Sequence, residues 1–307
     1  MRPQADLDAA GITDPAVRAS YLLCRRLNAR HGRTYYLATL LLPPQRRPYV
    51  HALYGFARHA DDIVDDVSGT AIDRADRFAR WSEDILVDLE WGATSDPVGR
   101  ALLDTVRRWA IPLRYVADFL DAMRRDLTVT SYPNYEALCE YMWGSAAVIG
   151  LQMLPILGVA NAQVHTDDLE PFAVDLGLAF QLTNFLRDIG EDLRRGRVYL
   201  PQDSLDRFGV DRARLQRGVA DGPVRHLIAF EVERARGLYR SASRGVDLVH
   251  PTSQDCLRTA ITLYSEILDA IEQRDYDVFS GRASVGIGRR GAVALNGVRR
   301  SWRARRR

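Results

Sequence analysis

The sequence predicts an all-α protein with a single helical domain, and three observations support this fold class. Apolar residues recur at helical spacing over long stretches, whereas the alternating pattern of strands is scarce. The chain of 307 residues contains neither an internal repeat nor a long Gly/Ser linker. Hydrophobic residues make up 47% and charged residues 27%, a composition typical of globular domains. We therefore favour one large domain over two small ones, which the length would also allow.

Nine helices are predicted from the periodicity, and turn residues mark the breaks between them. Asp96 before Pro97 is an N-cap followed by a proline at the first helical position. Gly196 ends the helix that carries the second of two acidic clusters. The predicted ranges are 15–30, 46–66, 71–91, 97–109, 112–127, 134–154, 171–194, 222–247 and 253–275.

Residues 141–164 carry no charged side chain and could span a bilayer by length alone. Gln152 and Pro155 within this segment favour a buried helix instead. Its small residues leave room beside the backbone for an elongated apolar cavity, or they allow neighbouring helices to pack closely. Both interpretations remain open at this point. The small residues are Gly144, Ser145, Ala146, Ala147 and Gly150.

The cysteines and the N-terminus favour a cytoplasmic protein. Cys24, Cys139 and Cys256 are widely separated and have no His partner at metal-ligand spacing, so neither a disulfide framework nor a zinc site is predicted. Residues 1–10 carry acidic side chains and no apolar core, so we expect no signal peptide.

Residues 286–307 differ in composition from the helical domain predicted at residues 1–285. They contain eight Arg, no acidic residue and Trp302, and we expect a disordered tail. A basic tail with an aromatic residue can contact anionic lipid, which would place the protein peripherally at the inner face of the membrane. The net charge of the whole chain is only +2, so nucleic-acid binding is not expected.

Two acidic clusters, far apart in the chain, carry the strongest functional signal. The first is DDIVDD at residues 61–66, and the second includes Asp188 and Asp192. Carboxylates four residues apart lie on one face of a helix, where their like charges repel. Such faces are tolerable when cations lie between them. Oxygen ligands without nearby His or Cys suit Mg²⁺, which shares its shell between a few carboxylates and substrate phosphates.

Polar residues extend both acidic faces. Tyr54 and Arg58 share the face of Asp61 and Asp65, where Arg58 is either a structural counter-ion or a phosphate ligand. The second face continues through Gln181 and Asn184, with Arg187 and Glu191 beside it.

Arg195, Arg197 and Tyr199 follow the second cluster, where they either cap the helix or hold diphosphate oxygens. All 42 basic residues are Arg, whose planar fork suits phosphate. The sequence contains no dinucleotide-binding glycine motif, P-loop, HExxH motif or GxSxG motif.

On these residues the chain resembles the squalene/phytoene synthase family of head-to-head prenyl transferases, over roughly residues 17–285. Four strings carry the resemblance, and those at 141–158 and 180–201 resemble the bacterial phytoene synthase branch in particular. The strings are HGRTYY (31–36), YGFARHADDIVDD (54–66), YMWGSAAVIGLQMLPILG (141–158) and FQLTNFLRDIGEDLRRGRVYLP (180–201). The resemblance implies an all-α isoprenoid-synthase fold around a central apolar cavity, with both Asp motifs at its mouth.

The resemblance also implies roles for individual residues. The expected ligands of Mg²⁺, or of Mn²⁺ as an alternative metal, are Asp61, Asp65, Asn184, Asp188 and Asp192. The four aspartates among them, with Tyr54 and Arg58, are the expected catalytic residues. The expected substrate contacts are Thr34, Tyr35, Tyr141, Gln181, Asn184, Arg187, Tyr199, Tyr264 and Arg282. Two departures from the family pattern affect local phosphate contacts: a Ser-rich segment is replaced by HGRTYY, and Ser265 follows Tyr264 in place of Arg.

The implied reaction joins two C20 allylic diphosphates through a cyclopropyl diphosphate to phytoene, in carotenoid biosynthesis. No nicotinamide motif is present, so NADPH is not expected. Three alternatives remain open: a related enzyme that uses C15 farnesyl diphosphate, a terpene cyclase, and a non-catalytic protein that binds prenyl lipids.

Overall fold

A computed structural model describes residues 3–66 and 68–304, apart from the side chains of residue 287 and of residues 302–304. The regular structure of the described residues is helical, with one isolated β-bridge between Val159 and Val249. The predicted all-α class is therefore confirmed. The helices are α1 (Pro3–Ala9), α2 (Pro15–His31), α3 (Arg33–Thr39), α4 (Arg47–Val64), α5 (Ala71–Trp91), α6 (Pro97–Trp109), α7 (Leu113–Arg125), α8 (Tyr135–Met142), α9 (Val148–Leu157), α10 (Glu170–Arg194), α11 (Gln202–Arg207), α12 (Arg212–Gln216), α13 (Gly222–Ser243), α14 (Pro251–Glu272) and α15 (Ile287–Ala304).

Eight of the nine predicted helices are present as single helices, and their boundaries follow local chemistry. Asp96 caps α6, because its Oδ1 accepts a hydrogen bond from the backbone N–H of Gly99 at 2.6 Å. Gly196, with a φ of 79°, follows α10 as predicted. The helix expected at 134–154 is instead α8 and α9, joined by a π-helical turn at Trp143–Ala147.

Helix α10 lies at the centre of the fold. It packs against α9, α13, α14 and the π-helical turn, while α4 packs against α2, α5, α6 and α7. Buried apolar side chains from these helices form one continuous core. This arrangement places the two helices that carry the acidic clusters in the walls of the same interior space.

The small residues of the uncharged segment serve both predicted purposes. A Cβ atom on Gly144 would lie 2.4 Å from the carbonyl oxygen of Asp118, and one on Gly150 would lie 2.5 Å from that of Ala173. These glycines therefore allow close contact between helix backbones. Gly150 also lines the central cavity, together with Ser145 and Ala146. Of the helices in the described part of the chain, none has the length and apolar character needed to cross a membrane.

The C-terminal segment differs from the expected disordered tail, because residues 287–304 form α15 against α14 and α3. Val293 is buried, and Gly297 lies so close to Leu41 that a Cβ would be 2.6 Å from its Cδ1. Arg300 pairs with Asp255 at 2.7 Å. The arginine-rich composition therefore did not indicate disorder here. The segment is a helix that packs one apolar face against the domain and pairs its arginines with acidic residues of α14.

Candidate active site

A cavity of about 990 Å³ lies between α4 and α10. One end is lined by the carboxylates of the two acidic clusters together with arginine and tyrosine side chains. The other end is lined by apolar side chains, among them Leu157, Phe172, Leu176 and Val246. The space therefore suits an amphiphilic ligand with an anionic head and a long apolar chain.

On the α4 side, the first cluster is partly neutralised by arginines. Arg58 forms an ion pair with Asp62, one turn further along α4. Asp65 accepts a hydrogen bond from Arg195 at 2.7 Å and lies 3.4 Å from Arg197. Both arginines follow the second cluster in sequence, so the two clusters are joined by ion pairs across the mouth of the cavity.

On the α10 side, Asp188 is held by two guanidinium groups. Arg187 donates to both of its carboxylate oxygens, at 2.9 and 2.6 Å. Arg282 approaches from the segment before α15, at 2.8 and 3.0 Å. Three charged groups of the expected site therefore meet at one place, with more positive than negative charge.

Two other aspartates of the clusters have raised affinity for protons. Burial, and then the nearby charge of Asp65, raise the pKa of Asp61 to about 7. Burial, and then Asp188, raise the pKa of Asp192 to about 7. Both carboxylates line the cavity. Their environment favours a positive charge in the cavity that would offset this repulsion.

Asp126 forms a polar centre that the sequence motifs did not indicate. Its carboxylate accepts hydrogen bonds from the hydroxyls of Tyr141 at 2.7 Å and Tyr199 at 3.1 Å. Arg197 donates to its backbone carbonyl at 2.8 Å. Burial raises the pKa of Asp126. Both tyrosine hydroxyls therefore act as hydrogen-bond donors to the same carboxylate.

Most of the predicted site residues line this cavity, but two do not. Thr34 is absent from its wall, and Tyr264 contacts the wall residues Tyr35 and Phe180 with ring centroids 4.8 and 4.6 Å away. Tyr264 therefore supports lining residues and is not itself part of the lining. The predicted residues that line the cavity are Tyr35, Tyr54, Arg58, Asp61, Asp65, Tyr141, Gln181, Asn184, Arg187, Asp188, Asp192, Tyr199 and Arg282.

Sequence reasoning did not include Asp126, Arg195 and Arg197 among the expected site residues, although all three line the cavity. The sequence allows Arg195 and Arg197 to be either helix caps or diphosphate ligands. Their ion pairs with Asp65 connect two distant parts of the chain. The position of Asp126, just after α7, lies in no recognisable motif, and no local sequence signal indicates it.

The donor set fits a cation that shares its shell with a ligand. Oδ1 of Asn184 is buried and has no hydrogen-bond partner. Among the described residues, no three His, Cys, Asp or Glu side chains converge on a point where they alone could hold a metal ion. Mg²⁺ commonly binds one or two carboxylates and completes its shell with phosphate oxygens and water. A protein-only cage is therefore not required for a magnesium site here.

The chain matches the family model described as squalene/phytoene synthase over residues 28–289. It is 37% identical to the phytoene synthase of Arthrospira platensis over 282 residues, which are 88% of this chain and 90% of that protein. It is 36% identical to the 15-cis-phytoene synthase of Synechococcus elongatus over 275 residues, covering 87% and 88% of the two chains.

Solved structures of similar proteins share the fold. A dehydrosqualene synthase in complex with a ligand superposes with a TM-score of 0.83 at 27% identity, over 92% of this chain and 96% of that chain. A squalene synthase from Alicyclobacillus acidocaldarius superposes with a TM-score of 0.77 at 29% identity, over 88% and 99% of the two chains. The resemblance inferred from the motifs is therefore confirmed.

Proposed function

The chain belongs to the squalene/phytoene synthase family, and on that basis we propose that it is a phytoene synthase that joins two molecules of geranylgeranyl diphosphate head to head. The product is the C40 hydrocarbon phytoene, formed through a cyclopropyl diphosphate with release of two diphosphates. The enzyme is a prenyltransferase of carotenoid biosynthesis.

One observation supports this proposal most directly: the cavity has a charged mouth at one end and an apolar interior at the other. Both acidic clusters and five arginines line the mouth, while the depth has apolar walls. A prenyl diphosphate has the same division, with all of its charge at one end. The arginines are Arg58, Arg187, Arg195, Arg197 and Arg282.

Mg²⁺ is the metal that the donor chemistry fits best, with Mn²⁺ as an alternative. We assign it to Asp61, Asp65, Asn184, Asp188 and Asp192, supported by the unpartnered Oδ1 of Asn184 and by the raised pKa of two of these aspartates. When bound, Mg²⁺ supplies positive charge that stabilises the departing diphosphate.

The arginines of the mouth stabilise the same developing charge. Arg187 and Arg282 now hold Asp188, and Arg195 and Arg197 hold Asp65. A diphosphate in the mouth offers these guanidinium groups further oxygens in a geometry that suits bidentate binding. Charge that is already in position lowers the barrier to breaking the C–O bond, which leaves an allylic cation.

The remaining steps need an environment without water. The double bond of the second molecule attacks the cation to give the cyclopropyl diphosphate, whose ionisation and rearrangement end in loss of a proton. Tyr141 and Tyr199 line the cavity, and their hydroxyls donate hydrogen bonds to Asp126. The apolar walls exclude water that would capture the cation. Released diphosphate is the proposed base for the last proton.

The test is incubation of the purified full-length protein with geranylgeranyl diphosphate and Mg²⁺, and in parallel with farnesyl diphosphate with and without NADPH. Mass spectrometry identifies the lipid products. We expect phytoene from the C20 substrate without NADPH. No hydrocarbon from either substrate would contradict the proposed function.

The second candidate is a farnesyl diphosphate-using enzyme of the same family. The observation that favours it is the likeness to the dehydrosqualene and squalene synthase structures at 27% and 29% identity. The higher identity to phytoene synthases, at 36% to 37%, favours the C20 substrate. A C30 product in the same incubation would select this second candidate.

We also propose peripheral contact with an anionic membrane surface through α15. Leu295 and Val298 on this helix are large apolar side chains that are 53% and 50% exposed. The helix and the residues after it are rich in Arg and contain no acid. Basic and exposed apolar residues on one helix favour binding at an anionic lipid interface. A greasy product formed at such a surface can pass directly into lipid.

The membrane proposal is tested by flotation with vesicles of anionic or neutral lipid. The variant carries Leu295→Ser and Val298→Ser, which spares the buried face of α15. We expect at least a several-fold loss of binding to anionic vesicles, with enzyme activity in detergent preserved. Unchanged binding would contradict the role of α15.

A further inference from the structure

Helix α10 runs alongside the cavity from its charged mouth to its apolar end. Asp188 lies at the mouth, whereas Phe172 lies near the start of the helix, and both line the cavity. An α-helix rises by about 1.5 Å per residue, so these two positions are separated by about 24 Å. The lining residues between them include Leu176, Phe180 and Asn184, each about one helical turn from the next.

This separation matches one prenyl chain in particular. A nearly extended chain advances by about 1.2 Å per bond, so the sixteen-carbon main chain of a geranylgeranyl group spans about 18 Å. The diphosphate and its metal add roughly 5 Å. The sum is close to the distance from Asp188 to Phe172. A farnesyl group is shorter by about 5 Å, which is one turn of α10, and it would end beside Leu176.

Phe172 lies at the apolar end of the cavity, and Leu169, about one turn before it, belongs to the same lining. Gly245 lies in the turn after α13, and a Cβ on it would be 2.5 Å from both Cβ and Cγ of Phe172. The φ of Gly245 is −80°, which any residue can adopt, so the close approach of the phenylalanine accounts for the glycine. Leu157 and Val249 line the same end and are only 2% exposed.

We propose that Phe172, seated against Gly245, is the floor on which the end of the geranylgeranyl chain rests, and that the helical turn between Leu176 and Phe172 selects C20 over C15 substrates. This inference rests on the proposed function. Chain-length selection is thereby assigned to Phe172 and Leu176, which both lie on α10 and outside the acidic clusters. The fourth isoprene unit occupies the space between them.

Two variants of the full-length protein test the proposal from opposite directions. Leu176→Phe adds bulk one turn above the floor, and Phe172→Ala removes the floor. Val174→Phe is the matched control, because Val174 lies on the same helix but does not line the cavity. The measurement is kcat/KM for farnesyl, geranylgeranyl and C25 geranylfarnesyl diphosphates with Mg²⁺, with products identified by mass spectrometry.

For Leu176→Phe we expect kcat/KM for the C20 substrate to fall at least tenfold relative to that for the C15 substrate. For Phe172→Ala we expect kcat/KM for the C25 substrate to rise at least tenfold relative to that for C20. The control should keep both ratios within threefold of the wild type. If Leu176→Phe does not fold, Phe172→Ala decides, because it only removes atoms.

Unchanged ratios in a folded Phe172→Ala protein would overturn the floor while leaving the proposed function intact. A wild-type protein that forms no product from any of the three substrates would instead overturn the proposed function. The two failures are therefore distinguishable in one set of assays.

Discussion

Arg195, which follows the second acidic cluster, donates a hydrogen bond to Asp65 of the first cluster at 2.7 Å. The two residues are 130 positions apart in the chain. The pair is partly exposed, with 44% of the Arg195 side chain and 32% of the Asp65 side chain accessible. A pair of this kind contributes at most about 1 kcal/mol to stability. Its importance is therefore expected in catalysis more than in folding.

Arg195→Gln should lower kcat/KM for geranylgeranyl diphosphate by roughly 10- to 100-fold, because it removes one guanidinium group from the charged mouth. The melting temperature should change little. Arg240→Gln is the matched control, since Arg240 also pairs with an acidic residue but lies on the surface of α13. Equal activities of the two variants would contradict a role for Arg195 in binding diphosphate.

Asp61→Asn should reduce turnover by more than about 100-fold, because it removes a charge from the proposed metal site. Asp66→Asn in the same cluster should retain most of the activity. Asp66 also lines the cavity, but hydrogen bonds from Ser68, and then Arg77, lower its pKa to about 2, so its charge already has partners outside the proposed metal ligands. Steady-state kinetics at saturating Mg²⁺ compare the two. Near-wild-type turnover in Asp61→Asn would contradict the metal assignment.

Asp126→Asn should lower kcat about tenfold or more, because an amide offers only one acceptor oxygen to Tyr141 and Tyr199. Tyr199→Phe should lower it in the same direction. Tyr132→Phe is the control, because Tyr132 stacks on both tyrosines while its own hydroxyl has no hydrogen-bond partner. Single-turnover rates report this effect without product release. A loss in Tyr132→Phe equal to that in Asp126→Asn would indicate a packing effect instead.

Stability of the metal-free protein should depend on pH through Asp61 and Asp192. Their folded pKa of about 7 lies above the ordinary value of 3.8, so between these values the folded chain binds more protons than the unfolded chain. Their contribution to stability is therefore present below pH 4 and is lost as the pH rises toward and through 7. Mg²⁺ should offset the loss most at pH 8, where both carboxylates are charged.

Urea denaturation in EDTA at pH 5 and pH 8 measures this dependence. His51 acts in the opposite direction, because burial and then Arg25 lower its pKa to about 3. The wild type is therefore compared with a variant that carries Asp61→Asn and Asp192→Asn. We expect the free energy of unfolding of the wild type to fall more between pH 5 and pH 8 than that of the variant. Equal changes would contradict the assigned pKa values.

Local sequence patterns predicted much of the fold. The nine predicted helical ranges follow from apolar periodicity, and the start of α6 follows from Asp96 and Pro97, because these signals act within one or two turns of helix. The short helices α1, α3, α11 and α12 were not predicted, since five to seven residues give too few repeats to establish a period. Helix α15 was not predicted because its sequence is rich in Arg and Gly and has no acidic residue, and the acidic partners Glu266 and Asp255 of its arginines lie on α14.

The site was predictable only as far as it follows helix faces. The spacing of Asp61 and Asp65, and of Asp188 and Asp192, predicted two acidic columns that both line the cavity. The same reasoning could not predict that Arg195 would reach Asp65, because that contact depends on how α4 and α10 lie relative to each other. Asp126 could not be predicted either, because it lies in no motif and its hydrogen-bond partners Tyr141 and Tyr199 come later in the sequence.

The glycines in the cavity wall limit how this protein can change its substrate range during evolution. Gly150 and Gly177 each bring two backbones so close that a methyl group would lie 2.5 to 2.7 Å from a carbonyl oxygen. Backbone atoms cannot turn aside as a side chain can, so mutations at these positions would separate the helices before they reshaped the interior. Adaptation to a new chain length is therefore confined to the larger side chains that face the cavity, such as Ile149, Met153 and Leu176.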